Sequence, residues 1–316
     1  MAAGSKPRCG SLQYWPRKRA EKAIPSVNWS MIKGDGKTDS LLGFIGYKVG
    51  MGTALVKDST PNSMTLNKKI YMPVTILETP NMKILSVRFY KDGKVLKDVV
   101  VSNDKELKRV VFISKQLKPF EHEVPKEFED IRVIVYSLPS QTSIKKTPDL
   151  IELSIDAKDK LAFVKSLIGK EISIKDFLKY TLLDVRGLTK GKGLVGPVKR
   201  MGITLKFHKS EKGVRRPGSL GPWHPAHTSF RVAMAGQLGM FTRVIYNNSV
   251  IGSGNIAEKN INPKSGFNHY GNINSSYLLL KGSVQGPQKR QLLLTPSFRP
   301  TKIAAKRKFE LVELEI

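Results

Sequence analysis

The chain has 316 residues, of which 40% are hydrophobic, and 54 Lys and Arg against 26 Asp and Glu give it a formal charge of +28. This composition supports a folded core, and it excludes a protein whose surface is charge-balanced. Because a phosphate backbone carries the densest regular negative charge in a cell, the charge predicts a nucleic-acid partner.

Cysteine usage and hydropathy indicate where the protein works. Cys9 is the single cysteine, which excludes an internal disulfide framework and favours a reducing compartment. No apolar run approaches the length of a membrane span, and residues 1–10 lack the apolar centre of a secretory signal. We therefore expect a cytoplasmic protein with no membrane partner.

Charge is distributed unevenly along the chain. Residues 1–48 carry nine basic and three acidic side chains, and residues 49–184 carry twenty-three and eighteen. Residues 185–309 carry twenty-two basic side chains against two acidic ones, Glu211 and Glu258. The middle of the chain is therefore typical of an ordinary soluble domain, whereas the basic third needs a polyanion.

The first forty residues show neither helical nor strand periodicity. Basic residues alternate there with proline and glycine, which predicts an extended arm, residues 1–40, that orders on RNA. A disordered, solvated tail is the alternative. The basic residues among the first 22 of the arm are Lys6, Arg8, Arg17, Lys18, Arg19 and Lys22.

Glycine alternates with large apolar residues from Gly43 to Met51, and short β-rich runs follow. Such runs, separated by turn residues, predict the strands of a β-barrel. The Asp92-Gly93 pair predicts a hairpin turn that leads into a strand at residues 99–101. The other strands predicted by this pattern cover residues 53–56, 72–77, 83–90, 182–185, 242–246, 277–280 and 291–294.

Residues 92–175 mix helical and strand patterns at nearly balanced charge, which favours an α/β insertion that packs on or contacts protein. A helix is predicted over residues 104–117 because Asp104 can cap it and apolar residues form a rough stripe. A shorter helix is predicted between a cap at Asp156 and an end at Gly169. Strands are predicted over residues 131–136 and 150–155.

Residues 187–241 contain ten glycines, few apolar runs and most of the local charge. A compact domain rarely holds so long an irregular interval unless it is functional, so we interpret it as an extended finger. Its first segment, Gly187–Gly196, has the wrong glycine spacing for a phosphate loop, and Gly193 stands where Ser or Thr must bind magnesium. The glycines instead predict close approach of the backbone to sugar and phosphate, with neutralisation by Lys190 and Lys192.

Metal binding and catalysis are disfavoured in the basic third. His208, His224 and His227 lie among cations without carboxylate or thiolate neighbours, so they suit RNA contacts better than a metal ion. Glu211 and Glu258 are the only carboxylates there, and neither lies in an apolar stretch that would tune it for acid–base catalysis. We expect no metal, no cofactor, no small-molecule substrate and no enzymatic activity.

Trp223 stands between Gly221-Pro222 and His224-Pro225. A large indole on such a turn has little core to enter, which predicts contact with an RNA base or groove. The alternative is an ordinary core residue.

The stretch from Phe177 to Arg200 holds a set of residues at characteristic spacing: Phe177, Asp184, Gly187, Thr189, Gly191, Lys192, Gly193, Gly196 and Arg200. Further characteristic segments are Gly10–Leu12, Pro16–Ala20, Gly43–Met51, Gly221–His227, Ala235–Gln237, Lys281–Val284 and Gly286-Pro287. In these residues the chain resembles the L-three family of universal large-subunit ribosomal proteins. The α/β insertion favours its archaeal or eukaryotic branch, and the many Ile, Lys and Asn residues favour an archaeal source.

The resemblance implies a mainly β fold with an α/β insertion, built on a translation-protein-type β-barrel with long irregular RNA-binding extensions. It implies an arm at residues 1–40, a discontinuous barrel at residues 41–91 and 176–316 that includes the finger, and an insertion at residues 92–175. It also implies a non-catalytic constituent of the large ribosomal subunit that organises ribosomal RNA, supports assembly and contacts neighbouring ribosomal proteins. Trp223 would lie near the peptidyl-transferase centre and the entrance for aminoacyl-tRNA.

The residues expected to contact ribosomal RNA are cations together with aromatic or imidazole groups. They are Arg17, Lys18, Arg19, Lys190, Lys192, Lys199, Arg200, Lys206, Lys209, Lys212, Arg215, Arg216, Trp223, His224, His227, Arg231 and Arg243. The glycines expected to bring the backbone close to RNA are Gly187, Gly191, Gly193 and Gly196.

Two other classes of protein share these electrostatics. A nucleic-acid enzyme would need clustered acidic residues for magnesium or a complete phosphate loop, and the basic third has neither. An architectural DNA-binding protein would normally show a helix-based reader or a wedge element. Competition between ribosomal RNA and duplex DNA separates this class from an RNA-binding protein.

Overall fold

The computed structural model describes residues 14–32, 38–114 and 116–316. These residues form fourteen β-strands and five short α-helices. The mainly β fold predicted from the sequence is therefore confirmed.

The chain divides into two compact units. The first, which we call the barrel unit, comprises Lys22–Gly187 and Arg243–Ile316. The second, the finger unit, comprises Met1–Glu21 and Leu188–Thr242. The division separates regular sheet from mostly irregular chain.

Seven strands of the barrel unit form one sheet that closes on itself. They are β2 (Phe44–Asp58), β3 (Lys69–Glu78), β8 (Leu182–Leu188), β11 (Thr242–Asn255), β12 (Ser276–Lys281), β13 (Gln291–Pro296) and β14 (Phe309–Glu315). Their order is β13-β8-β11-β12-β3-β2-β14, and β13 also pairs with β2, which closes six strands into a barrel. β2 serves two neighbours because residues 44–47 pair with β13 and residues 53–58 pair with β14.

The barrel interior is aliphatic, with Val56, Val74 and Leu279 fully buried. Such side chains suit a pleated, half-buried surface, and their burial supplies most of the stabilisation of the sheet.

One buried carboxylate ties a loop to this barrel. Glu78 accepts hydrogen bonds from the N–H groups of Asn274 (2.8 Å) and Ser275 (3.1 Å) and from the hydroxyl of Tyr270. Burial and the Glu78 carboxylate raise the pKa of Tyr270, so its hydroxyl stays protonated and donates. A buried carboxylate with several donors is a stable arrangement.

The second sheet of the barrel unit has five strands, in the order β1-β7-β6-β4-β5. The predicted hairpin is confirmed, because Asp92 and Gly93 have φ of 52° and 70°, the left-handed values that this turn requires. β4 falls in the range predicted for the barrel but pairs in this sheet, and the predicted domain boundaries stay a prediction. The strands are β1 (Ser40–Leu41), β4 (Met82–Lys91), β5 (Lys94–Val100), β6 (Asp130–Ser137) and β7 (Leu150–Asp156).

The prediction of a helix over residues 104–117 is wrong. Among the described residues of this range, a single 3₁₀ turn, Lys105–Arg109, forms in place of an α-helix, and Leu107 is the one buried residue of that turn. Two β-branched valines follow, and Phe112 is fully exposed. Of the expected stripe, Leu107 is buried and Ile113 packs on the same small cluster, whereas Val110 is exposed. With only part of its face packed, so short a helix is not stable.

The second predicted helix is confirmed, but it begins at a different cap. Asp159 accepts hydrogen bonds from the N–H groups of Leu161 (3.0 Å) and Ala162 (3.1 Å), whereas the predicted cap, Asp156, is the buried last residue of β7. Gly169 follows the helix with φ of 79°, as a left-handed end requires. The helices of the barrel unit are α1 (Phe120–Glu123), α2 (Lys160–Leu167), α3 (Ile174–Phe177) and α5 (Lys302–Lys306).

The predicted arm contributes to the core of the barrel unit. Residues 14–32 form no helix or strand, as expected. However, Trp29 and Ile32 are buried, and the indole N–H of Trp29 donates to the carbonyl of Glu152 at 3.0 Å. The composition of the arm did not predict this anchor. Of the residues that the arm prediction used, Lys6, Arg8, Cys9 and Gly10–Leu12 lie outside the described residues.

Candidate nucleic-acid interface

The two ends of the finger run side by side as a short stem. β9 (Leu194–Val195) pairs antiparallel with β10 (Gly236–Gln237). Nearer the ends, the N–H of Thr189 donates to the carbonyl of Phe241 at 2.9 Å. Backbone hydrogen bonds, rather than a core, therefore fix the stem.

Arg200 holds this stem closed. It lies on α4 (Pro197–Met201), where its Nε donates to the carbonyl of Gln237 and its Nη1 to the carbonyl of Met234, both at 3.0 Å. The planar fork of a guanidinium suits two carbonyl acceptors at once. Arg200 thus makes structural contacts in addition to the RNA contact predicted for it.

Glycine is required at two positions for reasons internal to the protein. Gly239 has φ of 78°, and a Cβ there would lie 1.9 Å from the carbonyl oxygen of Lys190. Gly187 is buried, and a Cβ there would lie 2.4 Å from Cδ2 of Leu292. The role of Gly187 seen here is packing. The other glycines predicted to approach RNA are exposed, and they are Gly191, Gly193 and Gly196.

Most of the predicted RNA-contact residues are exposed on the finger unit. The finger, Leu188–Thr242, contains ten Lys and Arg and a single acidic residue, Glu211. Among the described residues, the pair between Lys206 and Glu211, at 2.5 Å, is the only ion pair that a finger cation makes. Arg17, Arg200, Lys206 and Arg243 are partly exposed. Those exposed are Lys18, Arg19, Lys190, Lys192, Lys199, Lys209, Lys212, Arg215, Arg216, Trp223, His224, His227 and Arg231.

Trp223 is 87% exposed, so the alternative that it is a core residue is wrong. It lines an open cleft of about 360 Å³ together with Pro222, Pro225 and His227. Apolar faces beside an imidazole suit the stacking of a flat base.

Sequence reasoning missed two aromatic residues on the same unit. Phe207 is 62% exposed and its ring centroid lies 4.7 Å from that of His208, and Phe230 is 69% exposed. The argument used for Trp223, a large apolar residue inside a basic, glycine-rich interval, also applies to both.

Residues of the arm pack on the finger within the finger unit. The ring of Trp15 meets that of Phe230 edge-to-face, with centroids 5.7 Å apart and planes at 87°. The guanidinium of Arg17 lies 4.9 Å from the centroid of Trp15, and its Nη1 contacts Sδ of Met201 at 3.0 Å. These contacts give the finger unit a small cluster of its own.

The part of the chain that the structure describes has neither a metal-binding cluster nor a membrane-spanning helix. Within residues 14–32, 38–114 and 116–316, no group of three or more His, Cys, Asp or Glu side chains could hold a metal ion. In the same ranges no helix is both long enough and apolar enough to span a membrane.

Comparison with known proteins covers nearly the whole chain. The family model described as Ribosomal protein L3 matches residues 1–113 and 100–315. The chain belongs to the ribosomal protein L3 family. The L3 resemblance read from the sequence is therefore confirmed.

Three archaeal L3 relatives are named large ribosomal subunit protein uL3. That of Methanocaldococcus jannaschii is 38% identical over 314 residues, which cover 94% of this chain and 92% of the relative. That of Methanococcus aeolicus is 40% identical, covering 93% and 92%. That of Methanococcus vannielii is 38% identical, covering 98% and 95%. These relatives agree with the predicted archaeal or eukaryotic branch.

Membership of the L3 family decides the class of protein. The chain is a structural protein of the ribosome, located in the cytoplasm, and it is not an enzyme. The competing hypotheses of a nucleic-acid enzyme and of an architectural DNA-binding protein are thereby set aside.

Proposed function

We propose that this L3-family chain is a constituent of the large ribosomal subunit that binds and organises ribosomal RNA and supports subunit assembly. Its finger lies near the peptidyl-transferase centre and the entrance for aminoacyl-tRNA, and neighbouring large-subunit ribosomal proteins are its other partners. The names of its relatives support the assignment to the large subunit.

The observation that carries this proposal is the exposed, unneutralised charge of the finger. Nine of its ten cations make no ion pair with a described residue. Cations that bind phosphates release condensed counterions, and this release favours binding. The same cations repel one another in the free protein, so RNA relieves a cost that folding leaves in place.

The aromatic residues complete the interface. Trp223 and Phe207 present ring faces that no core covers. A base stacked on an exposed aromatic ring contributes about 1–3 kcal/mol without requiring a particular sequence. Cations therefore hold the RNA backbone while the rings receive unpaired bases.

Salt dependence of binding tests the proposal. Arg215→Ala combined with Arg216→Ala removes two adjacent exposed cations of the finger. We expect weaker binding to large-subunit ribosomal RNA and a salt slope, d log K/d log[salt], shallower by roughly 1–2, because about one phosphate contact is lost per cation. Filter binding across a salt series measures both.

The matched control is Lys158→Ala with Lys170→Ala, which removes two exposed cations from the barrel unit. We expect the control to keep the salt slope of the wild type. Equal loss in both variants, or equal affinity of the wild type for an unrelated DNA duplex, would contradict a ribosomal RNA interface on the finger.

A further inference from the structure

The outer edge of β14 is open. β14 stands at the end of the barrel sheet order and pairs with β2. Because hydrogen-bonding direction alternates along a strand, about half of its N–H and C=O groups point away from β2. Within the described chain, no backbone hydrogen bond beyond its pairing with β2 involves residues 309–315.

This edge is acidic in a strongly basic protein. Glu310, Glu313 and Glu315 are exposed, and Val312 between them is 43% exposed. Glu310 accepts a hydrogen bond from Oγ of Ser59 at 2.8 Å. In the described part of the chain, the carboxylates of Glu313 and Glu315 have no hydrogen-bond or ion-pair partner.

The charge changes sign abruptly before the strand. Residues 299–308 contain five Lys and Arg and no acidic residue, whereas residues 309–316 contain three Glu and no basic residue. RNA phosphates would be attracted to the first segment and repelled by the second. The open edge therefore suits a cationic partner that is not a nucleic acid.

Other features of β14 agree with a strand that receives a partner. Exposed sheet edges are commonly protected by Lys or Pro, and β5, the edge of the second sheet, carries Lys94 and Lys97. β14 carries neither residue type. A bulge between Leu311 and Glu313 divides it, so a partner strand would pair along one of two short stretches.

We propose that β14 is a docking edge for an extended, basic segment of a neighbouring ribosomal protein, which adds a strand to the barrel sheet. Backbone hydrogen bonds would give the affinity, and cations of the added segment would face the glutamates. This inference rests on the proposed function, because it names the surface through which one of the protein partners binds.

A peptide probe tests the docking edge on the full chain without RNA. The probe is a peptide of about ten residues that alternates Lys and Val, the length of a typical strand. We expect it to bind and to slow hydrogen exchange of the outward-facing amides of β14. Two comparison peptides are an alternating Glu and Val peptide and a Lys and Val peptide interrupted by Pro, and neither should bind comparably.

Variants of the chain separate strand addition from general attraction. Glu313→Gln with Glu315→Gln should weaken the Lys and Val peptide roughly three- to tenfold, because two charge pairs are lost. Val312→Lys, which places a cation on the edge, should weaken it at least as much. The matched control, Glu121→Gln with Glu127→Gln, removes two exposed carboxylates elsewhere and should leave binding unchanged.

Equal binding of the proline-interrupted peptide, or equal weakening by the control, would overturn the docking edge. The peptide experiment contains no RNA, so it tests the docking edge independently of the RNA interface on the finger. If the edge variants bind ribosomal RNA as the wild type does but the peptide does not bind, the docking edge is wrong and the RNA interface stands.

Discussion

The barrel unit and the finger unit differ in what stabilises them. The barrel unit buries aliphatic strands and satisfies even a buried carboxylate, Glu78, with several donors. In the finger unit, Leu188 and Gly239 are the only buried residues among those described. One region is therefore stabilised by its own core, whereas the other leaves its cations and aromatic rings on the surface.

This difference explains why the dense cations and the regular sheets lie in different parts of the chain. Removing water from a charge is costly unless a partner is present, so cations at the density of the finger cannot be packed into a protein core. Placing them on a long, glycine-rich excursion leaves the sheets free to pack. The barrel unit can therefore pack its core without desolvating the cations of the finger.

The largest expected difference lies in side-chain truncation. Leu279→Ala removes a fully buried side chain of the barrel and should lower the free energy of unfolding by about 2–5 kcal/mol. Trp223→Ala removes a larger side chain that is 87% exposed and should change it by less than about 0.5 kcal/mol. Urea unfolding followed by circular dichroism measures both variants in the free chain.

Comparable destabilisation by the two variants would contradict this difference between the units, because it would give Trp223 a packing role. A second measurement is the rate of translation by ribosomes assembled with each variant. We expect Trp223→Ala to impair translation despite its normal stability, since we propose that the exposed ring contacts RNA rather than the core.

The next largest expected effect is a change in the free energy of unfolding at acidic pH. In the barrel unit, hydrogen bonds from Thr60, Thr65 and Ser63 hold the pKa of Asp58 well below its usual range. The folded state therefore binds a proton less readily than the unfolded state. The resulting stabilisation is complete above the unfolded pKa, about 4, and is lost as the pH falls through the folded pKa.

Asp58→Asn should accordingly cost about 1–2 kcal/mol at neutral pH, as expected when hydrogen bonds to a charged acceptor are weakened. The difference between wild type and variant should shrink as the pH falls below about 4. Urea midpoints across that range provide the measurement. A constant Asp58 difference at every pH would mean that the charge does not matter.

The sequence predicted features that are set by neighbours in the chain. The Asp92-Gly93 turn and the strands around it depend on local conformational preferences, and the density of charge on the finger depends on composition alone. Exposure of Trp223 followed from its glycine and proline neighbours. Each of these features is determined by a few consecutive residues.

Features set by distant residues were not predicted. Trp29 packs in the core of the barrel unit, and its indole N–H donates to the carbonyl of Glu152, more than a hundred residues away. The predicted 104–117 helix is wrong because distant residues cover only part of its apolar stripe, at Leu107 and Ile113. The stem contacts of Arg200 were hidden because both of its carbonyl acceptors are backbone atoms beyond the tip of the finger.

The smallest expected effect tests whether the finger unit has any stability of its own. Trp15 and Phe230 meet edge-to-face, and nearby the N–H of Ala20 donates to the carbonyl of Met240 at 2.9 Å. A double-mutant cycle of Trp15→Leu and Phe230→Leu, read from hydrogen exchange of the Ala20 amide, should give a coupling free energy of about 0.5–1.5 kcal/mol. The two single variants serve as each other's controls, because each retains one of the two rings.

A coupling near zero would mean that the arm meets the finger only when RNA is present. A coupling of the expected size would mean that arm and finger are already joined in the free protein. RNA would then meet one preformed basic surface rather than two separate segments, and the entropic cost of binding would be lower.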